Sequence, residues 1–169
     1  MKTSALFIAY DGLLDQLGSS QILPYVRGIA AHPRYVHIVS FEKSARFVAG
    51  GVKMRSDLAR DGVGWTPLPF TSKFGKLGKL WDLSRMYATC LRLQLQYQFG
   101  IVHCRSYISM QVGAFLRRLT GVTAIFDMRG LWVDERVDGE LWKQDRLLNR
   151  VLYRTYKRIE RKLLVSASH

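Results

Sequence analysis

Five short apolar runs, each followed by a loop and then a helical pattern, limit what this chain can fold into. The runs cover residues 4–10, 36–41, 65–70, 101–104 and 122–127. Each has the length of a buried strand and is bounded by glycine, proline or polar residues. Helical patterns are predicted from Ser19 or Ser20 to Ala31, and over 45–61, 80–99, 109–120 and 141–165. Consecutive strands separated by helices must pair in parallel, with helices over both faces. The prediction is therefore an α/β fold: a doubly wound, mostly parallel sheet of at least five strands. At 169 residues the chain is expected to form one domain over 1–169.

Local signals refine the boundaries. Ser19 or Ser20 is a candidate N-cap, Pro24 fits the first turns, and His32-Pro33 stops the helix. Gly50-Gly51 weakens the 45–61 helix, while Gly100 and Gly121 end the next two. In the 80–99 helix, Leu80, Leu83, Tyr87, Leu91 and Leu95 form the expected buried face. Asp82, Arg85, Thr89, Arg92 and Gln96 form the polar one. In the last helix Leu148, Leu152, Tyr156, Ile159 and Leu163 are expected inside. Arg146, Arg150, Arg154, Lys157, Arg158 and Arg161 are expected outside. Residues 128–140 read as a charged loop. The chain closes on a helix with no strand after it, so a truncated domain is expected, with a further half beyond His169.

Lys and Arg number 26 against 13 acids, a net charge of +13. That excess points to a polyanion: nucleic acid, an anionic membrane surface or phosphorylated substrates. Cys90 and Cys104 are too few for a disulfide framework and read as reduced thiols in a cytoplasmic protein. No apolar run reaches the roughly 20 residues of a membrane span. His32, His37, His103 and His169 lack metal-ligand spacing, so no metal is expected.

In parallel sheets ligands sit beyond the carboxyl ends of the strands. This selects four loops. The first, from Asp11 to Gln21, joins a strand to a helix N-terminus, which favours phosphate. Gly-x-Gly-x-x-Gly is absent there, so Glu42 after the second strand does not complete a nicotinamide fingerprint. The third loop offers His103-Cys104-Arg105-Ser106-Tyr107, in which a nucleophile would need an orienting partner. The fourth carries Arg129, Gly130, Trp132 and the adjacent acids Asp134 and Glu135. Neighbouring acids cannot flank a scissile glycosidic bond as a hydrolase pair must.

These loops carry a resemblance. The run Tyr10-Asp11-Gly12-Leu13-Leu14-Asp15-Gln16-Leu17-Gly18-Ser19-Ser20-Gln21-Ile22-Leu23-Pro24-Tyr25 resembles the start of family-4 glycosyltransferases of the GT-B fold. Ser40-Phe41-Glu42-Lys43, Ile101-Val102-His103-Cys104-Arg105-Ser106-Tyr107 and the segment from Phe126 to Gly139 are similar to the same family, as is Arg158-Ile159-Glu160-Arg161-Lys162-Leu163-Leu164. The resemblance spans nearly the whole chain and is weakest over 44–99. It departs at Gly18-Ser19, where many relatives have two glycines. It departs again at Arg129, near a position where many have histidine, so no catalytic residue is carried over.

The resemblance implies a Rossmann-like, acceptor-side N-terminal half of a GT-B enzyme, with the nucleotide-sugar domain absent from this chain. It implies a retaining, metal-independent transfer from a nucleotide-sugar to a glycolipid or polysaccharide acceptor, in which the present chain alone is inactive. Gly18, Ser19 and Ser20 would meet the donor phosphates. His103, Arg105, Arg129, Asp134 and Glu135 would line the acceptor cleft. Lys73, Lys76, Lys79 and Trp81, with Arg154, Arg158 and Arg161, are expected to face an anionic membrane surface, giving a cytoplasmic protein peripheral on the inner membrane. A basic nucleic-acid-binding or stand-alone interaction module is the alternative, though no groove-reading motif is present.

Overall fold

Strand β1 (Ala5–Ala9) is buried along its whole length. Alternate residues leave a strand on opposite faces. Leu6 and Ile8 enter one apolar core, and Phe7 and Ala9 enter the other. The computed structural model of the chain describes residues 4–32, 35–131, 134, 135, 137, 139 and 147–167. Within it β1 is joined by β2 (Val36–Glu42), β3 (Val63–Pro69), β4 (Ile101–Arg105) and β5 (Thr123–Asp127). The order is β3-β2-β1-β4-β5, and every neighbouring pair is parallel. The sheet expected from the apolar runs is present.

Helices α1 (Leu23–Ala30) and α2 (Ser44–Arg60) cover one face, through Leu23, Val26 and Leu58. Helices α3 (Gly75–Tyr97), α4 (Ser106–Thr120) and α5 (Leu147–Ser166) cover the other, through Met86, Cys90, Leu93, Met110, Leu116 and Leu163. Both cysteines are buried, which pushes their thiols far toward the protonated form.

Several local expectations are corrected. Neither Ser19 nor Ser20 caps a helix: helical structure begins at Gln16, and a π-helical turn spans Gly18–Ile22. Pro24 has no N–H to continue an α-helical ladder there, and Leu23 instead donates five residues back to the Gly18 carbonyl. Helix α2 runs unbroken through Gly50-Gly51, and Gly51 makes room there for the Phe47 ring, which would lie 2.8 Å from a Cβ at that position. Strand β3 starts two residues early and tolerates Pro67 and Pro69 as an edge strand. Phe70 N donates toward β2 (2.9 Å to the Glu42 carbonyl), so the alternate positions 67 and 69 face outward.

Helix α3 begins at Gly75, five residues before Leu80, and its left-handed cap is Gln98 (φ 49°), not Gly100. Helix α4 starts directly after β4, at Ser106, and ends at Gly121 as expected. The buried stripe of α3 is also rotated. Asp82, Met86, Cys90 and Leu93 are inside, while Leu80 and Leu95 are 61% and 65% exposed.

Helix α5 departs similarly. Glu160 and Leu163 are buried, Lys157 is half-buried, and Tyr156 and Ile159 face outward. The expected position of Arg146, the expected start of this helix over 141–146, and the Leu148 side chain lie outside the described residues. Within the expected charged loop, Asp134, Glu135 and Val137 are helical, and Glu135 N donates to the Leu131 carbonyl at 2.9 Å.

Candidate functional site

The strand order reverses between β1 and β4. From β1 the chain moves outward through β2 and β3, then returns to place β4 on the other side of β1. Loops leaving β1 and β4 therefore diverge and open a crevice at their carboxyl ends.

One wall of the crevice is the first loop. Glu42, at the end of β2, is 2% exposed. Its carboxylate accepts the backbone N–H of Leu13 at 2.7 Å and of Leu14 at 3.3 Å, and the Ser40 hydroxyl at 2.7 Å. Ser40 Oγ in turn accepts the Trp65 indole N–H at 2.9 Å. Burial pushes the Glu42 carboxyl up, and these hydrogen bonds pull it back. Glu42 is thus the anchor of the loop, buried and hydrogen-bonded through both oxygens. The two loop glycines are required by close approach. A Cβ on Gly12 would lie 2.7 Å from the Phe41 carbonyl, and one on Gly18 would lie 2.0 Å from the Gly12 carbonyl. Gly18 is buried at the helix start; Ser19 and Ser20 are exposed and donate their hydroxyls to the Gln16 carbonyl at 3.0 and 2.7 Å.

The other wall gathers charge. Arg105 ends β4 and is 5% exposed; Asp127 ends β5. Arg105 Nη1 stands 3.4 Å from Asp127 and Arg129 Nη1 stands 3.7 Å from it. Both guanidiniums also donate through Nη2 to a single oxygen, Gln21 Oε1, each at 2.6 Å. His103 stacks on Phe7, with ring centroids 4.6 Å apart. Its Nδ1 is 3.5 Å from Tyr25 Oη, and its Nε2 is 3.6 Å from Asp127, just beyond hydrogen-bond reach. Burial lowers its pKa most, Arg105 lowers it further, and Asp127 opposes both, so the ring is neutral near pH 7. Arg105 Nε and His103 Nε2 are buried without a hydrogen-bond partner.

A crevice of this kind, at the switch point of a Rossmann-like sheet, is compatible with many chemistries. The family profile described as a glycosyl transferase 4-like domain matches residues 19–169. The chain belongs to this family. Among curated proteins none matches it. Solved structures similar to it include Anabaena Alr3699/HepE in complex with UDP and glucose, at 13% identity and TM-score 0.46, covering 73% of this chain and 29% of that one. A glycosyltransferase from Rickettsia africae ESF-5 is similar at 12% identity and TM-score 0.47, covering 74% and 29%. A short-chain dehydrogenase from Oenococcus oeni PSU-1 is similar at 12% identity and TM-score 0.42, covering 74% and 61%. The chain spans 29% of the length of each of the two glycosyltransferases.

In this glycosyl transferase 4-like domain, the crevice unites His103, Arg105 and Arg129. Asp134 is held elsewhere: its carboxylate accepts Tyr153 Oη at 2.9 Å and Lys157 Nζ at 2.8 Å, which lowers its pKa. Lys157 also donates to Glu160 at 2.6 Å, and Tyr107 Oη donates to Glu160 at 2.8 Å. This network ties α5 to the segment after β5 and to the start of α4. Glu135 packs on Gly130, where a Cβ would meet its Oε1 at 2.1 Å.

A second buried acid, Asp82, accepts Thr71 N at 3.0 Å and Thr71 Oγ1 at 2.6 Å, and pairs with Arg85. Beside it the start of α3 is bare. Phe74, Leu77 and Trp81 are 78%, 73% and 59% exposed, among exposed Lys73 and Lys79. The Lys76 side chain lies outside the described residues. Arg154, Arg158 and Arg161 are exposed on α5.

At the opposite, amino-terminal edge, a recess of about 520 Å³ runs past Gln94, Phe99 and Gly121 and contains no titratable side chain. Among the described residues no cluster of His, Cys, Asp and Glu could hold a metal, and no helix is long and apolar enough to cross a membrane.

Sequence reasoning missed Gln21, Tyr25 and Asp127. Asp127 had a signal, an acid at the carboxyl end of a buried strand. Gln21 had none, since a neutral amide between two guanidiniums exists only once the chain is folded.

Proposed function

We propose that this domain is the acceptor-side half of a retaining glycosyltransferase, which moves a sugar from a nucleotide-sugar to a glycolipid or polysaccharide acceptor. The observation that carries the reading is the family match over residues 19–169. In such a transfer, negative charge develops on the leaving diphosphate, and preorganised N–H groups and cations stabilise it. On this reading the turn at Gly18, Ser19 and Ser20 lies against the donor's phosphates, with the exposed Ser19 and Ser20 hydroxyls as its donors because the Ser19 N–H is already given to the Asp15 carbonyl at 2.9 Å, and the donor's nucleotide is held by a second domain. The cations of the crevice, Arg105 and Arg129, serve the acceptor side. No metal is assigned to the reaction.

The same reading gives the bare start of α3 an occupant, an anionic bilayer that carries the acceptor. Apolar side chains at Phe74, Leu77 and Trp81 enter the interface while Lys73, Lys76 and Lys79 meet headgroups. Arg154, Arg158 and Arg161 add to the attraction, placing the protein on the cytoplasmic membrane surface.

The open reading frame that contains residues 1–169, expressed whole, is expected to transfer sugar with the anomeric configuration kept. The 169-residue chain alone is expected to stay far below about 1 turnover per second. A whole frame that neither binds nor transfers any nucleotide-sugar overturns the reading. For the membrane, sedimentation with anionic vesicles should fade at high salt and weaken when Lys73, Lys76 and Lys79 become glutamate. Equal binding to neutral vesicles, or tighter binding to DNA, defeats that part.

A further inference from the structure

The crevice holds more positive charge than it balances. Among the described residues in contact there, Arg105 and Arg129 bring two cations, Asp127 brings one carboxylate, and His103 is neutral, which leaves an excess of one positive charge. Both Nη2 atoms lean on the uncharged oxygen of Gln21. A buried guanidinium is costly unless it is paired and fully hydrogen-bonded. Arg105, 5% exposed, is paired only through a long bond to Asp127, at 3.4 Å, and is not fully hydrogen-bonded, because its Nε is buried without a partner. A buried polar group left unsatisfied in this way requires an explanation.

We propose that Arg105 and Arg129, positioned by Gln21, bind a phosphate group of the acceptor. Guanidiniums match phosphate as forks with parallel N–H donors. A phosphate oxygen can take the two Nη2 donors that now converge on Gln21 and supply the missing charge. Arg129, whose side chain is 48% exposed, opens the site to solvent, while Arg105 forms its fixed floor. Arg105 is also the N-cap residue of α4, a 15-residue helix with no side-chain cap and no acid in its first turn. The positive end of that helix adds to the same preference. Two forks and a helix end suit the three free oxygens of a phosphomonoester better than the two of a carboxylate.

The word acceptor rests on the transferase reading above; the phosphate site does not. The cluster is built wholly from the end of β4, the end of β5 with the two residues after it, and the π-helical turn before α1, all in the half which that reading gives to the acceptor. The donor's diphosphate is the other possible source of the same chemistry, so the test uses one probe for each.

Calorimetric titration of the chain with octyl phosphate and with UDP separates the two. Octyl phosphate is expected to bind, and Arg129→Gln to weaken it roughly 10-fold or more. Gln21→Glu places a resident carboxylate between the two guanidiniums. It is expected to raise the melting temperature while abolishing octyl phosphate binding, so lost binding there cannot be blamed on unfolding. Arg92→Gln, exposed on α3, should change nothing.

Octyl phosphate binding that is absent, or equal in all variants, overturns the proposal. So does an Arg129→Gln effect confined to UDP. If the whole reading frame transfers no sugar yet octyl phosphate binds with the expected variant pattern, the transferase reading fails and the phosphate site stands. If sugar is transferred to a neutral acceptor and Arg129→Gln is without effect, the reverse holds.

Discussion

Glu42 and Arg105 end neighbouring parts of one sheet, and both are almost wholly buried, but they are buried differently. Both oxygens of the Glu42 carboxylate are hydrogen-bonded, two of the three bonds are 2.7 Å, and two of the three partners are N–H groups of the loop it holds. Arg105 leaves one nitrogen unpartnered, shares its carboxylate with a second cation and borrows an amide oxygen. A saturated buried charge fixes the backbone. An unsaturated one at a crevice stands ready for a ligand. The two acids near the first loop and α3, Glu42 and Asp82, are of the first kind; the Arg105 and Arg129 pair is of the second.

The contrast breaks most readily at Glu42. Glu42→Ala strips partners from Leu13 N–H, Leu14 N–H and the Ser40 hydroxyl at once. Each unsatisfied buried group costs about 1–3 kcal/mol, so a loss of at least about 3 kcal/mol is expected in urea unfolding. A loss below about 1 kcal/mol would mean that water reaches the loop and that the carboxylate is not its anchor.

His37 extends the comparison to histidines. It is fixed between Tyr35 Oη at 3.0 Å and Thr66 Oγ1 at 2.8 Å, at the amino-terminal side of the sheet. Burial lowers its pKa from 6.5 to about 4. A group with a depressed folded pKa gives stability that is present above its unfolded pKa and lost as pH falls toward the folded one. Stability should therefore decline between pH 6.5 and 4. Each pKa unit is worth about 1.4 kcal/mol, so the full loss attributable to His37 is about 3 kcal/mol. His37→Gln should flatten that part of the profile. An unchanged slope would assign the acid transition to other groups, His103 first among them.

How far the sequence foretold this follows the same division. The strands were readable because β1, β2 and β4 are buried on both faces, and no polar residue interrupts the apolar run of β1. The helix faces were less readable, because burial was decided by distant partners. Asp82 sits in the core stripe of α3 since Thr71 and Arg85 satisfy it. Glu160 sits in the core stripe of α5 since Tyr107 and Lys157 do. A periodicity argument that sorts residues by polarity must put both outside. At the crevice, His103, Arg105 and Arg129 were visible as polar residues at strand ends. Gln21 was not, because its role is a geometric relation across 84 and 108 residues of chain.

Arg129→Ala sharpens the comparison from the ligand side. The side chain is 48% exposed and packs no core, so the melting temperature should hardly move. In the whole reading frame, on the proposed function, kcat/KM should fall by about 1.5–3 kcal/mol of transition-state binding, the worth of a charge-assisted hydrogen bond, or roughly 10- to 150-fold. Unchanged kinetics would remove Arg129 from the site, and a collapsed melting temperature would make it structural, like Glu42.

The smallest effect is expected at Ser106, directly after Arg105. Its φ is 74°, a left-handed conformation that costs an L-residue about 1–2 kcal/mol. At Gly121, the end of the same helix, a similar φ of 73° is adopted by glycine without that cost. The strained serine is on the crevice side of α4 and the relaxed glycine on the far side, the same asymmetry as Arg105 against Glu42. Ser106→Gly relieves the strain but loosens the unfolded chain, which returns about 0.4–1 kcal/mol, so the net gain is near 0.5 kcal/mol. Thermal unfolding would register it as a rise of roughly 1–2 °C for a domain of this size. If stability rises while octyl phosphate binding weakens, the strain serves the site by holding the start of α4 against Arg105. If Ser106→Gly destabilises the fold, the serine hydroxyl holds the turn, and the junction belongs with the saturated, structural half of the molecule.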